Sequence, residues 1–283
     1  MRLPQFELPT IHLPKIELPQ VNLWGTEFTE AAARWQRAMA PFVEVGERFR
    51  AQIEAINKSF APLVEELRWI AEQERQCAEI EKAGWLPHSS SPFQLVGTPG
   101  EEREDLGQLV EDFYRDEWGV ISESLRTQIE RCEFDHEAKE CFAEALAAHG
   151  AGFHRCAPRL LFPEIERVAR VELHGGALDK MASQEKLVEA IGGLTPREMS
   201  ATGVSGLRFY KKLTEHLYLH LKDADRVAVA LADPIPNRHA VVHGIVAYTS
   251  AKSSLNAILI ADYLLQAIST LKCLASEKVE VRS

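Results

Sequence analysis

The sequence lacks an apolar run long enough to cross a membrane, for which about 18 consecutive residues are needed. The longest candidate, residues 255–268, is interrupted by the carboxylate of Asp262. The first residues also differ from a secretory signal, because prolines and charges recur where an apolar core would be required. We therefore expect a cytoplasmic protein that does not contact membranes.

Cysteine pairs with metal or redox spacing are also absent. The chain has five cysteines, an odd number, and no C-x-x-C occurs among them. The wide spacing argues against a zinc ribbon and a thiol–disulfide redox pair, so we expect free thiols in a reducing compartment. The residues are Cys77, Cys132, Cys141, Cys156 and Cys273.

The chain also has fewer basic than acidic residues. Lys and Arg number 32 against 42 Asp and Glu, which gives a formal net charge of −10. Residues 1–100 carry 10 basic and 13 acidic side chains, and the remainder is acidic too, so no basic half exists. This balance argues against a protein that holds nucleic acid through a broad basic surface, but it permits a small local site for an anionic substrate.

The motifs of common nucleotide and metal sites do not occur. We find no G-x-x-x-x-G-K-[ST], no G-x-G-x-x-G and no H-E-x-x-H. His216 and His220 stand four residues apart and could ligate a metal from one helix face, but no third ligand is adjacent in sequence. We expect neither a metal nor a cofactor.

The chain does contain a repeat at its start. In residues 1–24, Leu-Pro recurs every five residues, beginning at Leu3 and Leu8. Proline at this spacing excludes a helix and predicts an extended, polyproline-like arm. Because the intervening positions are partly apolar, the arm should dock either on a partner or on its own domain.

Residues 25–84 have the pattern of a long helix. Apolar or small residues alternate at spacings of four and three from Phe28 to Ile70, and polar residues fill the intervals. Pro41 and Pro62 predict kinks or the starts of new helices. We expect a bent helical stalk or hairpin, and the pattern fits either a dimeric coiled coil or packing within one chain.

Residues 85–103 are rich in Pro, Gly and Ser and are predicted as a linker to a helical domain at 104–283. In that domain the apolar spacing is helical and no alternating strand pattern competes with it. The fold class is therefore predicted as all-α. Helices are expected at residues 137–149, 163–173 (opening with Pro163), 178–191, 207–221 and 253–274.

The segment 236–248, P-N-R-H-A-V-V-H-G-I-V-A-Y, carries the strongest indication of a functional site. Asn237 is a good N-cap, which would place Arg238 and His239 in a first helical turn, and a glycine after His243 would end the helix. Free N–H groups, a guanidinium and two imidazoles would converge on a spot suited to a phosphate. On residue types alone, a short connector with a core histidine and a surface arginine is the simpler interpretation.

The run from Arg238 to His243 resembles the Arg-x4–6-His motif of the HEPN superfamily, the all-helical ribonuclease domains of prokaryotic toxin–antitoxin, phage-defence and CRISPR-associated systems. The spacing also occurs at Arg131–His136 and Arg167–His174. Only the run at 238 has the apolar filling, the preceding Asn, the following Gly and a long helix after it.

The same segment is similar to a bacterial HEPN subgroup that reads N-R-H-x-x-x-H-G, followed by a Tyr-Thr turn and an Asn-containing, Leu-rich helix. Tyr248, Thr249 and Asn256 match those features. The resemblance covers residues 101–274, so the arm and the stalk fall outside it.

The resemblance implies a metal-independent endoribonuclease that binds RNA transiently and acts as a homodimer. Arg238 would stabilise charge on the phosphate in the transition state, and His243 would be the general base or acid for attack by the ribose 2′-OH. His239 and Tyr248 would bind substrate or support the site, and Asn237 would position the turn. The family context suggests a toxin or phage-defence effector with an antitoxin or defence-system partner protein.

Two other hypotheses belong to different functional classes. A non-catalytic HEPN-like module could bind RNA, a nucleotide or a partner protein through the same groove. A scaffold could use the arm and stalk for assembly, with the C-terminal bundle serving only as an anchor.

Overall fold

The computed structural model describes residues 26–101, 103–177, 208–209 and 212–280. Within this part of the chain every regular element is a helix and no strand occurs, which confirms the predicted all-α fold. The Leu-Pro arm at residues 1–24 and the helix predicted at 178–191 lie outside the described residues. The chain divides into two compact units, Met1–Leu67 and Arg68–Ser283.

The first helix, α1, spans Thr26–Lys82. Pro41 and Pro62 both lie inside it, and no helix boundary falls at either proline. Of the predicted heptad positions, Phe60, Leu67 and Ile70 are exposed. Whether this seam pairs two chains stays a prediction.

The described helices of the second unit follow in chain order and surround one core. They are α2 (Leu106–Asp116), α3 (Trp118–Arg131), α4 (His136–Gly150), α5 (Cys156–His174), α6 (Ala224–Ala232), α7 (Arg238–Val242) and α8 (Ala251–Glu280). A short 3-10 helix at Phe93–Leu95 and a π-helical stretch at Leu213–Leu217 complete them.

The helix α8 is the centre of this core. It packs against α3, α4 and α5, and every residue from Ser253 to Leu265 is buried. A helix that is apolar around its whole circumference is expected to be buried in this way. Its stretch Ala251–Cys273 is also long and apolar enough to span a membrane. However, 72% of an 18-residue window within this stretch is buried inside the protein, as in a core helix.

Part of the segment 85–103, which we predicted as a linker, packs into this core in the structure, whereas residues 98–101 are exposed. Trp85, Leu86 and His88 are buried. The side chain of Asn256 on α8 accepts a 2.9 Å hydrogen bond from the backbone N–H of Leu86, and Asp262 lies 2.9 Å from His88 Nε2. Prolines and serines in this segment stop helix formation, while its large side chains pack as core residues do.

The helix start predicted at Pro163 is wrong, because α5 begins seven residues earlier, at Cys156. Pro158 takes the first-turn position, where a proline costs no hydrogen bond. Pro163 lies inside the helix, where it removes one backbone donor. Buried neighbours on both sides of it, among them Phe162 and Ile165, hold the helix in place.

Candidate functional site

Asn237 fixes the start of α7 from inside the core. The residue is fully buried, and its Oδ1 accepts a 2.9 Å hydrogen bond from the backbone N–H of Ala240, which confirms the predicted N-cap. Its Nδ2 donates to the carbonyls of His216 at 2.6 Å and Leu219 at 3.0 Å. These hydrogen bonds therefore hold the turn that opens α7 against the segment that contains His216 and Leu219.

Tyr248 supports this arrangement from the other side. Its hydroxyl accepts a 3.0 Å hydrogen bond from the backbone N–H of Asn237 and donates to the carbonyl of Ala230 at 3.2 Å. Burial raises the pKa of Tyr248 to about 12, so the hydroxyl stays protonated at neutral pH. Its position suits a supporting residue that holds Asn237 in place.

Three imidazoles gather around α7, and we call His220, His239 and His243 the imidazole cluster. The rings of His239 and His243 lie 4.6 Å apart between centroids, and those of His220 and His239 lie 5.0 Å apart in an edge-to-face arrangement. His220 and His243 are exposed, whereas His239 is half-buried and its Nδ1 has no hydrogen-bond partner among the described residues. The two outer rings therefore remain accessible to a substrate.

The pKa of His239 is lowered by burial and, to a smaller extent, by the charges of its neighbours His243, His220 and Arg238. A lowered pKa makes its neutral form more abundant near pH 7. A neutral imidazole can accept a proton, which is the property that a general base requires.

His220 was not predicted as part of this site. The sequence pairs it with His216, but the π-helical stretch ends at Leu217, so the two side chains do not share a helix face. His216 is buried, and its Nε2 lies 2.8 Å from the carbonyl oxygen of Ile235. Among the residues that the structure describes, no group of three or more His, Cys, Asp or Glu side chains is arranged to hold a metal ion.

Arg238 extends from α7 toward α5, where its Nε is hydrogen-bonded to the Glu166 carboxylate. The side chains are partly buried, with 18% of Arg238 and 31% of Glu166 exposed. The carboxylate balances the guanidinium charge and occupies one of its donors. An incoming phosphate group would have to compete with Glu166 for Arg238.

The helix start contributes less to anion binding than its sequence suggests. The helix α7 has five residues, Arg238–Val242, so its dipole is small. The backbone N–H of Ala240, in the first turn of this helix, is already hydrogen-bonded to the side chain of Asn237. The positive potential of the site therefore depends on the guanidinium of Arg238.

The two other Arg–His spacings have different surroundings. Arg167 forms ion pairs with Asp135 and Glu164 at 2.7 Å each. Arg131 ends α3 and is exposed, and the side chain of His136 at the start of α4 is 86% exposed. Of the three spacings, the one at Arg238 has both a buried N-cap and neighbouring imidazoles.

The chain was also compared with known proteins. No protein-family model, curated protein or solved structure matches it. The HEPN resemblance therefore stays an expectation that depends on residues 237–256.

The arrangement combines groups suited to phosphate chemistry. A guanidinium can bind and neutralise a phosphate oxygen, and imidazoles can serve as general acids and bases. The local sequence gives no indication that Glu166 and His220 belong to the site. Glu166 lies 72 residues from Arg238 in the chain, and His220 lies 19 residues from His239. Only the packing of α5 and of the segment after the π-helical stretch brings them to α7.

Proposed function

We propose that this protein is a metal-independent endoribonuclease of the HEPN type. The observation that supports the proposal most is the imidazole cluster. Two of its members, His239 and His243, follow Arg238 in the segment whose start is fixed by the buried Asn237. A connector without chemical function would not require two exposed imidazoles against a half-buried third one.

Each residue has a role in this proposal. Arg238 binds the scissile phosphate and stabilises the charge that develops in the transition state. His243, which is exposed, acts as general base or acid for attack by the ribose 2′-OH, giving a 2′,3′-cyclic phosphate and a 5′-OH. His239 and His220 assist proton transfer, while Asn237 and Tyr248 hold the turn.

The protein is proposed to act in the cytoplasm as a homodimer that brings two such sets of residues to one RNA strand. The exposed heptad positions of α1, such as Leu67 with 55% of its surface exposed, are available for pairing. A role as a toxin or phage-defence effector, restrained by an antitoxin or another defence-system protein, belongs to the same proposal.

The test is degradation of single-stranded RNA by the purified full chain in EDTA. Arg238→Ala and His243→Ala should each lower the rate by about a hundredfold or more, because each removes a group that acts in the transition state. Arg126→Ala and His136→Ala are matched controls, since both remove an exposed side chain of the same type outside the site. Equal rates for all four variants would rule out the proposed site.

The ion pair between Arg238 and Glu166 favours a second candidate, a non-catalytic binding module. In that case the arginine would serve the packing of α7 on α5, and the groove would bind RNA, a nucleotide or a partner protein without cleavage. A dimer in light scattering that binds RNA but leaves it intact, with and without divalent cations, would favour this candidate over the ribonuclease.

A further inference from the structure

A second feature of the protein is a cavity of about 310 Å³ that shares no residue with the imidazole cluster. Aromatic rings form much of its wall, and small-molecule sites begin at about this volume. We call it the aromatic cavity. Among its lining residues are Trp85, Glu111, Tyr114, Trp118, His149 and His154.

The polar ends of the two innermost rings are already bonded. The indole N–H of Trp85 donates to the carbonyl of Gly107 at 3.3 Å. The hydroxyl of Tyr114 lies 3.3 Å and 3.2 Å from the hydroxyls of Ser90 and Ser91. Because these groups are satisfied within the protein, neither needs a ligand as a hydrogen-bond partner, and the two buried rings give the cavity an aromatic wall.

The rings lie against one another at an angle. The centroids of Trp85 and Tyr114 are 5.3 Å apart with 34° between the planes, and those of Trp118 and His149 are 4.4 Å apart with 53° between the planes. Tilted rings around a small space can direct several negative π faces at one positive centre. Aromatic cages recognise quaternary ammonium groups in this way.

The wall also carries the carboxylate of Glu111. Glu111 is partly buried and has no hydrogen bond or ion pair within the part of the chain that the structure describes. The guanidinium of Arg115, which also lines the cavity, is bonded instead to Asp112 at 2.7 Å and Asp116 at 2.9 Å. A cation inside the cavity would therefore find a negative partner in Glu111.

The imidazole of His149 does not oppose a cation. Burial lowers the pKa of His149 to about 4, with a smaller effect from His154, so the ring is uncharged at neutral pH. Its Nδ1 is hydrogen-bonded to the hydroxyl of Ser254 at 2.8 Å. The ring thus adds another uncharged aromatic surface to the wall.

The protein already places one ammonium group against this wall. Lys252 Nζ lies 4.9 Å from the ring centroid of Trp85 and donates to the carbonyl of Ala83 at 3.2 Å. Lys252 is not among the lining residues of the cavity. An ammonium group thus lies within cation–π distance of this indole in the fold.

We propose that the aromatic cavity binds a quaternary or methylated ammonium group, with Trp85, Tyr114 and Trp118 around the cation and the Glu111 carboxylate as its counter-charge. The source of the group is either a free small molecule of the choline type or a trimethylated lysine side chain. A neutral planar ring, such as a nucleobase, is disfavoured because it would leave the Glu111 charge without a partner.

The experiment is a calorimetric titration of the full chain at pH 7.5 with choline, with N-acetyl trimethyllysine amide and with 3,3-dimethylbutan-1-ol, the neutral isostere of choline. The two cations should bind, and the stronger of the two identifies the source. The neutral isostere should bind at least about tenfold more weakly. Equal binding of the isostere, or no binding of either cation up to 10 mM, would overturn the proposal.

Two variants test the residues. Trp118→Ala and Glu111→Gln should each weaken cation binding by about tenfold or more, while Val120→Ala and Glu123→Gln, which change exposed positions of α3, should not. Where Trp118→Ala fails to fold, Glu111→Gln carries the test, because it alters a single charge. Arg238→Ala should bind the cation unchanged, since this inference does not depend on the ribonuclease proposal.

Discussion

The guanidinium of Arg238 on α7 is bonded to the carboxylate of Glu166 on α5, although the two residues are 72 positions apart in the chain. This contact neutralises the basic group on which phosphate binding would depend. If the protein acts on RNA as proposed, the substrate would have to displace a carboxylate at each encounter, so an acidic protein with a formal charge of −10 would bind RNA only transiently.

Replacing Glu166 with glutamine should therefore strengthen RNA binding. A partly exposed ion pair contributes up to about 1 kcal/mol, and its removal would free Arg238 for phosphate, so the dissociation constant should fall by about twofold to fivefold. Fluorescence anisotropy with a labelled single-stranded RNA in EDTA measures the change.

Glu164→Gln is the matched control for that measurement. It removes the same charge from the same helix, but Glu164 is bonded to Arg167 and does not contact Arg238. A gain of the same size in both variants would attribute the effect to general electrostatics and would argue against competition at Arg238.

Replacing Asn237 with alanine should cost about 2–4 kcal/mol of unfolding free energy. The change removes an N-cap, worth about 1 kcal/mol, and leaves the carbonyls of His216 and Leu219 without their shared donor. Urea denaturation measures the loss.

The comparison for Asn237 is Asp223→Ala, which removes an N-cap whose side chain is 53% exposed and which bonds the backbone N–H of Arg226 at 2.9 Å. That variant should lose about 1 kcal/mol or less, since water satisfies the freed group. Similar losses in both variants would mean that the buried bonds of Asn237 contribute little.

The stability of the fold should decrease in acid because of His149. Burial lowers the pKa of this imidazole from 6.5 to about 4, so below pH 6.5 the unfolded chain takes up a proton that the folded protein resists. The unfolding free energy should fall as the pH drops from about 6.5 to 4, by up to about 3 kcal/mol from this group, and this contribution should be constant above that range.

Urea denaturation at several pH values tests the role of His149. His149→Gln should flatten the decrease between pH 6.5 and 4, whereas His136→Gln, at a position whose side chain is 86% exposed, should leave it unchanged. If the unfolding free energy of His149→Gln decreased between pH 6.5 and 4 as much as that of the unaltered protein, groups other than His149 would cause the decrease.

The local features of this fold could be predicted from the sequence, and the long-range ones could not. Helical spacing was sufficient for the all-α class, and an Asn followed by three helix-compatible residues was sufficient for the cap at Asn237. The start of α5 was missed because Pro158 and Pro163 both suit a first turn, and only the packing of residues between them decides which proline opens the helix.

The neighbours of the candidate site illustrate the same limit. His220 and Glu166 reach α7 through tertiary packing, and neither has a periodic relation to His239 or Arg238. Likewise, the composition of residues 85–103 is that of a loop, but composition does not reveal that Trp85 fits into the core.

The most direct test of the ribonuclease proposal is the chemistry of the products. We would incubate the full chain in EDTA with a pool of 30-nucleotide RNAs and with the same pool carrying 2′-O-methyl groups, and identify the ends by mass spectrometry. The proposal predicts 2′,3′-cyclic phosphate and 5′-OH ends from RNA, no cleavage of the methylated pool, and a loss of about a hundredfold or more in Arg238→Ala and His243→Ala. Intact RNA, cleavage of the methylated pool, or undiminished cleavage by both variants would contradict it.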